Sequence, residues 1–172
     1  MRIGEALGLQ WGDFDKAERT LRVERQWLRT GVYGPTKTEA GKRVIFLPDE
    51  ALALLRDLRP EVSVLGKDER PIFASLNGTP LGHRNVTRRG WEPAREIAAR
   101  KNSGLADVDF HDLRHAAASR MIASGVDDAL VADQLGHQDT TITRKVYTHV
   151  YDRASKGQSV REALGASLGG EA

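Results

Sequence analysis

Six residues spread along the chain carry side chains suited to work on a charged substrate. His111-Asp112-Leu113-Arg114 opens an amphipathic segment, where i,i+3 spacing sets an imidazole beside a guanidinium on one helical face. Leu135-Gly136-His137 follows, its helix-stopping glycine placing a second imidazole just past a helix end. Ten residues on lies Tyr147, in Tyr147-Thr148-His149-Val150. Nearer the start are Arg2, in Arg2-Ile3-Gly4-Glu5-Ala6-Leu7, and Lys37, in Thr36-Lys37-Thr38 on a hairpin loop. Each alone has a plainer reading: a helix-surface pair, a capping histidine, a packing tyrosine, a solvated lysine. Their joint order and spacing are what raise them above it.

The chemistries missing from the sequence narrow the choice. There is no phosphate-binding P-loop, no Gly-x-Gly-x-x-Gly and no His/Asp/Glu cluster at metal-ligand spacing. Zero cysteines exclude disulfides, thiolate zinc sites and cysteine nucleophiles, and fit a reducing compartment. A pair of Mg²⁺ ions would need carboxylates converging from scattered positions. If the chain cuts nucleic acid, a metal-free route is favoured, and no cofactor is expected.

The elements that must position these residues read as α+β, helix-rich, with one small antiparallel sheet. Arg2–Gln10 reads as the end of a short helix, with Ile3, Ala6 and Leu7 at helical spacing. Thr20–Leu28 and Arg43–Leu47 read as strands, with a turn at Thr30-Gly31 and a loop through Pro35-Thr36-Lys37-Thr38. Pro48-Asp49-Glu50 opens a helix with Leu52, Leu55 and Leu58 on its buried stripe, ended by Pro60. After the Asn77-Gly78 turn, His83–Arg100 reads as a basic helix with Val86, Trp91 and Ile97 available for packing. Helices are then expected over Asp109–Ser124, Asp127–Leu135 and, capped by Asp139, on to about Val146. The tail from Ser155 carries glycine, serine and an apolar stretch, Val160–Leu168.

At 172 residues the chain is the size of one domain, able to bury a core without staples. No apolar run approaches the roughly 20 residues of a membrane span, and Met1-Arg2-Ile3-Gly4-Glu5 is no secretory signal. Lys plus Arg is 26 against Asp plus Glu 24, a formal +2. That near-neutral sum hides segregation. Basic residues dominate Arg19–Arg43, His83–Lys101 and the run of Arg144, Lys145, Arg153, Lys156 and Arg161. One such run is ordinarily a solvated face; three together favour a polyanion-binding surface.

With that order in hand, the chain resembles the catalytic domain of the tyrosine recombinases, the phage-integrase family. The family's first box, an Arg within Gly-Leu/Met-Arg-x-Gly/Ser-Glu, resembles Met1-Arg2-Ile3-Gly4-Glu5. Its hairpin lysine resembles Lys37, with Arg43-Val44-Ile45 following. Its His-x-Leu-Arg-His, Leu-Gly-His and Tyr-x-His boxes match His111–His115, Leu135–His137 and Tyr147–His149. The resemblance runs from Met1 to about Asp152, and the combination is specific although no single box is.

The resemblance implies site-specific DNA recombination through a covalent 3′-phosphotyrosine. Arg2 and Arg114 would grip the non-bridging phosphate oxygens, and His111 would act as general base or proton shuttle. His137 would be a further donor, Lys37 would protonate the leaving 5′-oxygen, and Tyr147 would be the nucleophile. A phenol ionises near pH 10, so about one in a thousand is ionised at neutrality and a base or cationic pocket is needed. Tyr151 rivals Tyr147, and Lys42 rivals Lys37. His115 and His149 are expected to hydrogen-bond to structure, and Glu5 to orient backbone or a neighbouring catalytic side chain. Lys42, Arg43, Arg84, Arg88 and Arg89 are candidate DNA contacts.

The family also implies double-stranded DNA as partner, a tetrameric synapse on it and a monomer without it. It implies a cytoplasmic, nucleoid-associated protein with no membrane partner. Family members carry a separate N-terminal domain and several helices before the first-box arginine. The expectation is therefore a catalytic domain over 1–154 lacking its N-terminal helices, with reduced or no activity alone. Residues 155–172 are expected to form a tail that docks in cis or in trans. Two other readings stand beside this one. Ala129–Arg144, helix, glycine turn and helix, reads as a non-catalytic DNA-binding module, and a type IB topoisomerase relative would share the chemistry.

Overall fold

The apolar residues of the first third recur densely enough to close a core of their own. A computed structural model describes residues 1–58 and 68–168 of the chain. Helix α1 (Ile3–Leu7) leads through a 3₁₀ turn at Trp11–Asp13 into strands β1 (Phe14–Asp15) and β2 (Thr20–Val23). Strand β5 (Arg43–Phe46) pairs with the other edge of β2, giving an antiparallel sheet in the order β1-β2-β5 with Leu21 opposite Ile45. Leu9, Trp11, Phe14, Leu21, Val23, Leu55 and Ile72 fill the core beneath it. Helix α2 (Asp49–Leu58) contributes Leu55 to that core.

The single strand expected over Thr20–Leu28 is two. The chain breaks at Glu24, and β3 (Arg25–Trp27) pairs with β4 (Tyr33–Pro35) in a separate two-stranded sheet. The break has a local cause: Arg25 turns to the buried Asp13 carboxylate at 2.5 Å, and the backbone of β3 runs directly against α1. That approach requires Gly8, where a Cβ would stand 2.8 Å from the Cα of Gln26 and 3.0 Å from the Arg25 carbonyl oxygen. The Lys37 loop therefore hangs from a hairpin pressed onto α1.

The second half is helical. α3 (His83–Asn85), a π-helical turn (Val86–Trp91) and α4 (Glu92–Lys101) form one basic helical run. Then come α5 (Asp112–Ala123), α6 (Asp128–Leu135) and α7 (Thr140–Leu168). On α5 the buried residues are Arg114, Ala118 and Ile122, one stripe at i,i+4 spacing, so Arg114 shares the core-facing side. Asp127 caps α6 by accepting from the backbone of Ala129 and Leu130, and Gly136 ends it at φ 68, a left-handed cap that glycine supplies without strain. Ala118, Ile122, Val131, Leu135 and Tyr147 make a second core.

Three packing expectations are corrected. Leu58 is exposed, on the same outward face as Leu54 one turn earlier, and Pro60 lies outside the described residues. Ile97 is exposed too; Trp91 instead packs edge-to-face on Phe110 at 5.7 Å. The last helix does not stop at Val146. It bends there, with Tyr147 at φ −110 and ψ 19, and continues through Ser155 to Leu168. The Thr148 hydroxyl donates to the Arg144 carbonyl at 2.7 Å, a back-bond that bends helices. No helix among the described residues is long and apolar enough to cross a membrane.

Gly8→Ala should force α1 and β3 apart and lower stability by about 1–3 kcal/mol, the usual cost of overpacking. Urea unfolding of the two chains checks this, and an unchanged midpoint would show that the approach is not limiting.

Candidate active site

The site forms where the two cores meet, at the junction of β5 with α6. Its centre is the Glu5 carboxylate, which is buried. Oε1 accepts from Arg2 Nη1 at 2.8 Å, and Oε2 accepts from Arg43 Nη2 at 2.8 Å and from the Arg2 backbone N–H at 2.9 Å. Burial alone would raise its pKa; the Arg43 and Arg2 donors outweigh this and hold it at about 2. Glu5 thus orients both backbone and the Arg2 side chain, as expected of it.

Arg114 enters from α5. One terminal nitrogen, Nη2, donates to the Leu135 carbonyl, which ties α5 to the end of α6. The other, Nη1, is buried with no hydrogen-bond partner among the described residues. An unmet charged donor is costly in a fold, and its geometry suits an oxyanion. Burial, and next the charge of Arg2, lower the Arg114 pKa to about 10, which leaves it protonated at neutrality.

His137 stands just after Gly136, with Nδ1 2.7 Å from the Thr143 hydroxyl. Burial, then Arg114, Arg2 and Arg43, push its pKa down to about 4, so the ring is neutral near pH 7. Thr143 can donate to Nδ1, which leaves the ring proton on Nε2 as a donor.

The Tyr147 hydroxyl lies 2.7 Å from Nδ1 of His115, and the residue is 3% exposed, packed into the helical core at the bend of α7. Burial raises its pKa while Arg114 pulls it back. His115, expected to hydrogen-bond, does so with the Tyr147 phenol. His111, one turn earlier and exposed, packs edge-to-face on His115 with centroids 5.0 Å apart and does not itself bond the hydroxyl. Its pKa is lowered by burial and by His115 and Arg114. Asp109 accepts from the backbone of His111 at 2.5 Å and so fixes the entry to α5. Tyr151, the rival phenol, is raised to about 12 by burial and by the Asp128 carboxylate. His149 is exposed, and its side chain makes no hydrogen bond to another described residue.

Lys37 is exposed on the loop after β4 and is unpaired among the described residues. Lys42 is half-exposed and paired with Glu39 at 3.0 Å. Arg43 corrects the expectation of a DNA contact: its side chain is 0% exposed and its guanidinium is held by Glu5, Gly41 and Gln134. Its place was readable, because in Arg43-Val44-Ile45-Phe46-Leu47 the arginine alternates in phase with the inward Ile45 and Leu47. Arg84 on α3 and Arg88 and Arg89 on the π-helical turn are exposed. Arg84 and Arg88 line a hollow of about 650 Å³ with Trp27, Arg29, His83 and Thr87.

A family model described as the phage integrase family matches residues 1–154. The chain belongs to the phage integrase family. Among its relatives, the integrase of Staphylococcus phage L54a is 27% identical over 168 residues, covering 91% of this chain and 46% of that protein. The tyrosine recombinase XerC of Xylella fastidiosa strain 9a5c is 31% identical over 151 residues, covering 87% and 44%. This integrase-family chain thus spans less than half the length of these relatives. The Tn1549 transposon integrase, solved with transposon right-end DNA, superposes with a TM-score of 0.71 at 21% identity, over 95% of this chain and 55% of that one. The XerA recombinase superposes with a TM-score of 0.63 at 23% identity, over 94% and 51%. At such identities the likeness shows a shared fold: α+β, mostly helical, with small antiparallel sheets. The helix–turn–helix look of Ala129–Arg144 is real as geometry, and in this family member its turn presents His137.

Two of the shifted groups, His137 and Glu5, make the acid response of stability readable. His137 is neutral in the fold down to about 4, but the unfolded chain protonates it near 6.5. Between those values the unfolded state binds more protons, so stability falls as pH drops through that window. Glu5 adds a second loss as pH falls from 4.5 toward 2. Urea midpoints measured against pH should show both windows, and Glu5→Gln should shrink the lower one.

Proposed function

We propose that the chain cleaves and rejoins double-stranded DNA at specific sites through a 3′-phosphotyrosine on Tyr147. The observation that carries this is the Tyr147 hydroxyl, bonded to His115 at a non-helical joint, beside a buried Arg114 with one unpaired nitrogen. Arg2 and Arg114 bind the non-bridging oxygens of the scissile phosphate and stabilise the added charge at pentavalent phosphorus. His137 supplies a neutral N–H donor to the same group.

Tyr147 reaches the phosphorus by rotating out of its pocket at the joint, and its proton passes to His115. His111, exposed against His115, shuttles that proton onward. The new bond joins Tyr147 Oη to phosphorus, and the bond to the 5′-oxygen breaks with its electron pair. Lys37 protonates that oxygen. Rejoining reverses each step: the 5′-hydroxyl attacks, Tyr147 leaves and takes a proton back. The ester keeps the bond energy, so the sequence of steps consumes no nucleotide.

Arg84, Arg88, Arg89 and Lys42 contact backbone phosphates, positioning the duplex without reading it. Four copies assemble on paired sites from monomers, with the segment after Ser155 docking on its own chain or a neighbour, in the nucleoid.

A nicked suicide duplex tests the reading. The chain should form a covalent DNA adduct that is absent in Tyr147→Phe and slowed roughly 10²–10³-fold in Arg114→Ala. Binding without an adduct would make it a DNA-binding module instead. Arg88→Ala should weaken binding across all sequences and reduce the salt slope of log K by about 1; slower cleavage at unchanged affinity would remove Arg88 from the phosphate contacts.

A further inference from the structure

Arg43 is charged, wholly buried and unused by the steps above. Each of its three guanidinium nitrogens donates to a different piece of chain. Nη2 donates to Glu5 Oε2 at 2.8 Å, and Glu5 in turn holds Arg2. Nη1 donates to the Gly41 carbonyl at 2.8 Å, at the root of the loop that carries Lys37. Nε donates to the Gln134 carbonyl at 3.0 Å, in the last turn of α6 before His137. A flat fork that spans three acceptors in one geometry is a property of arginine and not of lysine.

The turn that presents His137 is built against this guanidinium. A Cβ on Gly136 would stand 2.9 Å from Arg43 Nη1 and 3.0 Å from the Ala40 carbonyl oxygen, so only glycine lets the Leu135–His137 turn lie on Arg43 and the loop together. Gln134 doubles the attachment: its side-chain amide donates to the Val44 carbonyl at 2.8 Å and accepts from the Phe46 N–H at 3.2 Å. Leu135 beside it accepts from Arg114. Arg43 therefore sits where the supports of Arg2, Lys37, His137 and Arg114 meet.

We propose that Arg43 is a positioning residue: it clasps α1, the Lys37 loop and the His137 turn into one cluster, and touches no DNA. The chemistry it serves rests on the cleavage reading above, while the clasp is a property of the free chain. Removing it loosens the loop and the turn together and misplaces their side chains by the ångström or so that costs catalysis about a hundredfold.

Two variants of the whole chain test this. Arg43→Lys keeps the charge opposite Glu5 and loses the fork. Arg43→Gln combined with Glu5→Gln removes the buried pair without stranding either charge. By amide hydrogen exchange, protection at Gly41 and Lys42 and at Gly136 and His137 should fall together, about tenfold or more, with Leu21 in β2 unchanged. In single turnover at saturating DNA, adduct formation should slow about a hundredfold in both variants, with DNA affinity within about threefold of the parent. Loss of protection at one segment only, or at neither, overturns the clasp. Weaker DNA binding with full adduct formation at saturation also overturns it and makes Arg43 a phosphate contact. If the parent chain forms no adduct, the cleavage reading falls and the exchange measurement alone decides the clasp.

Discussion

A buried carboxylate between two guanidiniums is an expensive arrangement, and here three segments are committed to it. Glu5 is nearly inaccessible, Arg43 wholly so, and Arg2 closes the third side. Taking such charges out of water costs several kcal/mol per ion, and their attraction returns that only when the remaining donors and acceptors are also met. The carbonyls of Gly41 and Gln134 and the backbone N–H of Arg2 meet them. The pair is thus weak evidence for stability as such. What it supplies is specificity of arrangement: α1, β5 and the end of α6 adopt one mutual geometry because any other strands a charge. Two well-ordered hydrophobic cores would not by themselves dictate that geometry.

The site is electrostatically one-sided. Arg2, Arg43 and Arg114 bring three positive charges and Glu5 returns one negative, a balance that adds to burial in keeping His137 neutral and that favours a negative ligand. A phosphate anion placed there would offset part of that charge, favouring protonation of nearby imidazoles and opposing ionisation of a nearby phenol, so that a base must take the phenol's proton. Until then Tyr147 is buried, protonated and bonded to His115. The free chain holds this phenol away from solvent, at the joint of α7 where the helical backbone is already broken.

Much of this was legible in the sequence, for reasons that can be named. The boxes around His111, Gly136 and Tyr147 are local: helix caps, a left-handed glycine and i,i+4 faces follow from short-range rules, and α5, α6 and the start of α7 emerged within a few residues of expectation. The fork between β2 and β3 did not, because it depends on α1 occupying the flank of β3 through Gly8. Arg43 was misjudged because its charge outweighed its phase; its partner Glu5 lies 38 residues away, a distance that no local pattern bridges. His115 was expected to hydrogen-bond, but not to which residue, since its partner Tyr147 is 32 residues on and meets it only through helix packing. The bend at Tyr147 was visible only as an apparent helix end near Val146.

The two cores divide the site between them. Arg2 and Lys37 ride on elements around the sheet core, while His111, Arg114, His137 and Tyr147 ride on the helical core. A reaction that draws on both is hostage to the seam and not to either half. Warming or mild denaturant that slackens the seam would silence the chemistry while both halves still look native by circular dichroism. On the cleavage reading proposed above, heat inactivation would precede heat unfolding.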